Sequence, residues 1–204
     1  MPIDSGNLAL KGLDDLFSTE ENRQEEQREQ VQQIPIDALH PFTNHPFKVL
    51  DDESMTRTVE SIAQYGVLAP LIARPRPEGG YEIISGHRCQ HAAELAGLDT
   101  LPVIVWEMTD DAAVILMVDS NLQRENILPS ERAFAYKMKL DAIKNQGARS
   151  DLTSTQVAQK LSVEKVGDDA GVSKDTIRRF IRLTNLIPEL LDMVDEKKIS
   201  FNPA

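Results

Sequence analysis

Ser85-Gly86-His87-Arg88-Cys89-Gln90-His91-Ala92 sits between two segments of opposite character. Before it, Tyr81-Glu82-Ile83-Ile84 is apolar and partly β-branched and reads as a strand. After it, Ala92-Ala93-Glu94-Leu95-Ala96 reads as a helix with Gly97 as its stop signal. A glycine at a strand-to-helix turn lets a ligand approach the backbone. The first helical turn then offers unpaired N–H groups and the positive end of the dipole. Arg88 adds a fixed charge suited to phosphate oxygens. Gly86, His87 and Arg88 are thus predicted to form a phosphate seat. On local spacing alone a second reading stands equal to it, a βα turn whose arginine pairs with a structural carboxylate. His87 and His91 could share a helix face with Cys89 between them and bind metal. Three candidate ligands without a second cluster argue against that, and no metal site is predicted. Nothing beside Cys89 marks a base or an orienting acid, so it is not read as a nucleophile.

The surrounding chain has 204 residues, 41% of them hydrophobic, enough for one or two domains with real cores. No apolar run approaches the roughly 20 residues that span a bilayer, and no basic-then-apolar signal pattern opens the sequence. One cysteine excludes an internal disulfide framework and fits a reducing cytoplasm; secretion is not expected. The net charge of −11 argues against a uniformly basic nucleic-acid coat. Its distribution is uneven: residues 1–30 carry eight acids and three bases, whereas residues 172–186 carry Lys174, Arg178, Arg179 and Arg182 against Asp175 alone. A local basic face on an acidic protein fits the docking of one helix on DNA.

Residues 1–30 are polar and rich in Glu and Gln, and Glu20–Gln30 is predicted to be disordered. Within this tail Leu10, Leu13, Leu16 and Phe17 fall at helical spacing, either a frayed end or a short motif that folds onto a partner with Lys11 at its tip. Val31–Ile36 reads as a strand, followed by a proline-rich loop through Phe47. Asp51–Tyr65 reads as an amphipathic helix ended by Gly66. Leu68–Arg74 and Tyr81–Ile84 read as a hairpin, a helix follows at 88–96, and Leu101–Trp106 is a last strand. The order strand, helix, strand, strand, helix, strand predicts a small mixed-sheet α+β domain over residues 31–127. Thr109 caps the next helix, with Asp110 and Asp111 in its first turn and Ala113, Leu116, Met117 and Leu122 on its apolar side. At its far end Asn121, Gln123 and Arg124 are either a solvated helix terminus or a second wall of the phosphate pocket.

Residues 128–204 read as all helical. Pro129–Gln146 has Ala133, Tyr136, Leu140 and Ile143 on one face and is expected to close at Gly147. Thr153 is placed as the cap of a helix over Ser154–Leu161. Residues 162–184 then give helix, tight turn, helix: Gly167 allows close crossing, Gly171 makes the turn, Ser173 is the N-cap and Ile177 the inward anchor. In a helix-turn-helix the second helix enters the major groove, which assigns Ser173, Lys174, Thr176, Arg178, Arg179 and Arg182 to DNA, some as phosphate clamps only. Pro188 opens a last helix, and the sequence stops at Asn202-Pro203-Ala204 as if a further helix were about to begin, which suggests a truncated chain.

The order of these motifs resembles the ParB family of DNA-partition proteins over about residues 31–204. Asn44-His45-Pro46-Phe47-Lys48-Val49-Leu50-Asp51 is similar to its first box, usually N-x-P-R, Ile84-Ser85-Gly86-His87-Arg88-Cys89-Gln90-His91-Ala92 to its G-E-R-R-x-R-A box, and Ser120-Asn121-Leu122-Gln123-Arg124-Glu125 to its E-N-L-Q-R-E box. The resemblance implies a ParB/sulfiredoxin-like N-terminal domain binding CTP with Mg2+ through Gly86, His87, Arg88, Asn121, Gln123 and Arg124. It further implies a palindromic, centromere-like DNA site, self-association into a sliding clamp, slow hydrolysis, a nucleoid-associated cytoplasmic location, and a ParA-type ATPase partner met by Lys11. The sequence departs from the family at Phe47, Cys89 and His91, where arginines are usual, and at His87 and Ser120, where glutamates are. Each missing arginine removes a charged hydrogen bond worth about 1–3 kcal/mol, which implies weaker nucleotide binding and leaves turnover open. Two rivals remain: a sulfiredoxin-like enzyme or small-molecule kinase sharing the small fold, and a transcriptional regulator that needs no nucleotide.

Overall fold

A computed structural model describes residues 30–124, 126–149 and 155–200. The acidic tail with Lys11 and the Leu10–Phe17 motif, Glu125, the Thr153 cap and the last four residues lie outside the described residues.

Five strands form one mixed sheet in the order β1-β5-β3-β4-β2, with β1 Val31–Pro35, β2 Leu39–His40, β3 Leu71–Pro75, β4 Tyr81–Ser85 and β5 Thr100–Val105. β1 runs antiparallel to β5 and β3 to β4, whereas β5–β3 and β4–β2 are parallel. Alternation along β4 decides what each face packs. Ile83 joins Leu71, Ala73, Leu101 and Val103 under helices α1 (Glu53–Tyr65) and α2 (His87–Leu95). Ile84 points the other way, to Phe42, Phe47, Ala113 and Met117 under α3 (Asp110–Leu122). The strand-neighbour pair Arg74 and Glu82 lies on this second face. Their ion pair at 2.6 Å is extended by Asp110 at 2.7 Å from Arg74, which pins the start of α3 to the sheet.

The α+β expectation holds, with local corrections. A two-residue strand, β2, and a 3₁₀ turn at Ile36–Ala38 were not foreseen. The first helix starts at Glu53, not Asp51, because Asp52 is its cap, accepting from the Met55 amide at 2.8 Å. Strand β3 starts at Leu71, since Pro70 has no N–H for the ladder and Leu68 is left exposed.

Four further helices follow: α4 Pro129–Arg149, α5 Thr155–Ala170, α6 Lys174–Leu183 and α7 Pro188–Asp195. Two expected breaks are absent. Helix α4 runs through Gly147, a cost of about 1 kcal/mol against alanine that a long packed helix absorbs. Helix α5 is continuous across Ser162 because Val163 and Val166 are buried against α4. Ala133, Tyr136 and Leu140 of α4 share this core with Ile177 and Phe180 of α6, where the Tyr136 and Phe180 rings meet edge to face at 5.5 Å. The turn between α5 and α6 is tight: a Cβ on Gly167 would lie 2.7 Å from the Val172 carbonyl oxygen, so only glycine lets the chain pass. Ser173 caps α6 by accepting from the Thr176 amide at 3.1 Å.

Candidate functional site

Gly86 ends β4 and opens α2 in a left-handed conformation, φ 108° and ψ 16°. A Cβ there would stand 2.6 Å from Cγ of buried Leu71, so the turn lies directly on the sheet. The start of α2 borders a hollow of about 220 Å³ lined by His45, Gly86, His87, Arg88, Ser120, Asn121 and Arg124, among others. A larger hollow of about 770 Å³ adjoins it, lined by Lys48, Asp52, Ser54, Gln123, Glu131, Asp195 and Lys197, and Arg88 and Arg124 line both. All six residues assigned to nucleotide from the sequence therefore border this pair of cavities, Gln123 on the larger side.

Each wall is set by local bonding. Arg88 donates to Ser54 Oγ at 3.1 Å and stands 3.9 Å from Asp52, so the start of α1 orients its guanidinium. Asn121 Nδ2 donates to the Met117 carbonyl at 2.8 Å, which commits its nitrogen to the helix and leaves Oδ1 as the acceptor. The carboxylates at the rim are already engaged. Glu131 accepts from the amides of Lys48 at 2.7 Å and Leu128 at 3.0 Å, and Asp195 accepts from the amide and hydroxyl of Ser130. Arg124, Lys48 and Lys197 have no carboxylate partner among the described residues. Four cations thus surround a space whose nearest anions are largely satisfied, an arrangement suited to a polyanion.

His87 enters as a neutral ring. It is 8% exposed, its Nε2 accepts from the Phe42 amide at 3.2 Å, and its ring lies 3.9 Å from that of His45. Burial, reinforced by His45, lowers its pKa to about 3. With Nε2 accepting, the ring proton sits on Nδ1, so His87 can offer a hydrogen-bond donor but no charge. His45 is likewise pushed down, chiefly by burial; its Nδ1 donates to the Phe47 carbonyl at 2.8 Å and its buried Nε2 has no partner. The imidazoles of His87 and His91 do not converge, because His91 turns to Asp51 at 2.7 Å. Burial pushes the Cys89 thiol up, away from the thiolate a nucleophile needs. Phe47, at the position of a family arginine, is 3% exposed and part of the core. The sequence did not single out Ser54 or Lys197, and it gave Lys48, inside the first box, no role: their local patterns are those of ordinary surface residues, and tertiary packing brings them here.

On α6 the apolar and cationic sides separate. Ile177 and Phe180 are buried, while Arg178, Arg179 and Arg182 are exposed on the outward side. Arg178 is 3.2 Å from Asp175, an exposed pair, and Lys174 is 3.0 Å from Glu164, a partly buried one. The hydroxyls of Ser173 and Thr176 lie 2.9 Å apart at the start of the helix. Among the described residues no helix is long and apolar enough to cross a membrane.

A glycine bend opening onto a cationic hollow, on a sheet covered by helices on both faces and followed by a helical segment with an outward basic helix, is the arrangement of a ParB-like N-terminal domain with a helical extension. The family model of the ParB N-terminal domain matches residues 20–122, and the chain belongs to that family. It is 35% identical over 190 residues to Stage 0 sporulation protein J of Bacillus subtilis, covering 93% of this chain and 60% of that protein. It is 34% identical over 175 residues to the probable chromosome 1-partitioning protein ParB of Deinococcus radiodurans, covering 86% and 54%. The chain therefore spans a little over half the length of these relatives. Among solved structures, the C-terminally truncated ParB of Caulobacter crescentus, complexed to the centromeric parS site, has the same fold. It matches with a TM-score of 0.54 and 24% identity over 83% of this chain and 80% of that one. The resemblance drawn from the three boxes is borne out.

Proposed function

We propose that the chain acts as a ParB-type partition protein that binds CTP in the paired cavity and a palindromic, centromere-like DNA site along α6, closing as a clamp on the duplex. The convergence of Arg88 and Arg124, from separate sequence boxes, on one hollow beside Gly86 carries this reading. Arg88, Arg124 and the start of α2 would hold the triphosphate, with Lys48 and Lys197 on the outer rim. Magnesium would be held largely by the phosphate oxygens; of the protein's oxygens, Asn121 Oδ1 and the Asp52 carboxylate, which also caps α1, would suit a hard cation. Gln123 borders the larger cavity and His87 supplies a neutral donor. With Ser120 and His87 where the family has glutamates, turnover is slow or nil. The name of the D. radiodurans relative, a probable chromosome-partitioning protein, supports the biological role. Lys11 would engage a ParA-type ATPase, and paired copies would close the ring around nucleoid DNA in the cytoplasm. Cys89 follows Arg88, where the sulfiredoxin loop G-C-H-R has its cysteine before the histidine, which argues against a sulfiredoxin-like enzyme; burial also raises its thiol pKa.

Calorimetry with CTP and with ATP, each with and without site DNA, tests the reading. Arg124→Ala should weaken CTP binding about ten- to a hundredfold, the worth of one charged hydrogen bond. No CTP binding by the unmodified chain, with DNA binding intact, would leave a nucleotide-independent regulator instead. For the DNA face, Arg178→Ala or Arg182→Ala should weaken site binding and reduce the salt-dependence slope by roughly 1 for each phosphate no longer neutralised. An unchanged slope in a salt titration would remove α6 from the interface.

A further inference from the structure

Lys139 is the largest side chain that the described part of the molecule buries completely, 1% exposed, and it lies outside both assigned sites. Its ammonium on α4 is 2.7 Å from Asp119 and 2.7 Å from Asp169. Burial alone would depress its pKa, but the two carboxylates outweigh burial and the net shift is upward, so it stays charged. The partners come from different elements. Asp119 belongs to the last turns of α3 and directly precedes Ser120 and Asn121 of the cavity wall. Asp169 belongs to the last turn of α5, just before the Gly171–Ser173 turn that aims α6.

We infer that Lys139 is the positioning residue that couples occupancy of the nucleotide cavity to the orientation of the DNA-facing helix. A buried ammonium left without its partners is strongly destabilising, whereas both carboxylates are about half exposed and can be rehydrated as they move. The cheap displacements are therefore those in which the ends of α3 and α5 shift together about the fixed ammonium. An anion bound against Asn121 and Arg124 draws on the end of α3, and DNA bound to α6 draws on the end of α5. The shared ammonium makes each shift depend on the other. An apolar residue at this position would hold the core as well but would not bind the two ends to one point.

The inference rests on the proposed nucleotide and DNA sites, and its test is arranged to separate the two. CTP affinity is measured with and without site DNA, and DNA affinity with and without CTP, on the chain as it is and on Lys139→Met and Asp119→Asn. In the unmodified chain each ligand should tighten the other by the same factor, about five- to a hundredfold, as linkage requires. In Lys139→Met that factor should fall toward one while each ligand alone still binds within about threefold of the unmodified affinity, a pattern that general loss of structure does not give. Asp119→Asn changes a half-exposed group, keeps Lys139 paired with Asp169, and should lower the factor in part, which preserves the test if the methionine variant does not fold. An undiminished factor in a folded variant overturns the inference, as does a factor of one in the unmodified chain. Absence of CTP or DNA binding by the unmodified chain overturns instead the assignment of the sites.

Discussion

Gly86→Ala is expected to lower stability by about 2–6 kcal/mol, from left-handed strain of about 1–3 kcal/mol and a core clash of similar size. Both terms are visible in the geometry. At φ 108° an L-residue lies outside its comfortable backbone regions, and the added methyl would meet Leu71 Cγ at 2.6 Å with two further Leu71 atoms at 3.2 and 3.3 Å. Leu71 is 2% exposed and sits in β3 between β5 and β4, so it cannot swing away without opening the core. For a chain of this size each kcal/mol moves the melting temperature by about 2–4 °C, so the loss should be of order 10 °C. Gly79→Ala is the matched control: its φ is 93°, yet nothing lies within 4 Å of the added carbon, so it incurs strain alone. Urea unfolding of both variants isolates the clash. If Gly86→Ala unfolds no earlier than Gly79→Ala, the close seat of the turn on β3 is wrong, and with it the geometry of the cavity floor.

The same turn shows how far sequence could be read. A strand, a glycine, an arginine and a small-residue helix are local signals, and they located β4, Gly86 and α2 within a residue. The amphipathic period and the Thr109 cap did the same for α3. Signals failed where long-range packing outvoted local preference. Gly147 read as a stop and Ser162 as the start of a separate helix, but α5 continues across Ser162 because Val163 and Val166 are buried against α4, and α4 runs on through an exposed Gly147. Strand β2 has two residues, too few for any alternation to register.

The site divides in the same way. Arg88, Asn121 and Arg124 were legible because each stands in a compact motif. Ser54 and Lys197 join them through folding alone, and so does Lys48, to which its place in the first box gave no role. Lys139 was invisible as a coupling group: a lysine on an amphipathic helix reads as solvated, and both its partners lie at least twenty residues away in the chain. Phe47 is the converse case. In the sequence it is a missing phosphate ligand, whereas in the fold it is a wall of the second core with Phe42.

Acidification should destabilise this protein well above the range in which most carboxylates titrate, and His87 is the main reason. Its folded pKa of about 3 lies far below the ordinary 6.5, because the ring is buried and stands against His45. Between those values the unfolded chain binds a proton that the folded chain refuses, so stability rises with pH across this window and is fully present above about 6.5. It is lost as pH falls through the window at about 1.4 kcal/mol per unit, or about 2 kcal/mol by pH 5. His45, shifted in the same direction, adds to the loss. A protonated His87 could not accept from the Phe42 amide, so the loop carrying His45 and Phe47 would lose its anchor and the cavity one of its walls. Urea midpoints from pH 7.5 down to 5 should therefore fall steeply in the unmodified chain. His87→Gln keeps an acceptor for Phe42 without a titrating ring and should flatten most of that fall, at some cost in stability near neutral pH. Parallel pH profiles for the two proteins would show that His87 is not the buried neutral ring on which this wall of the site depends.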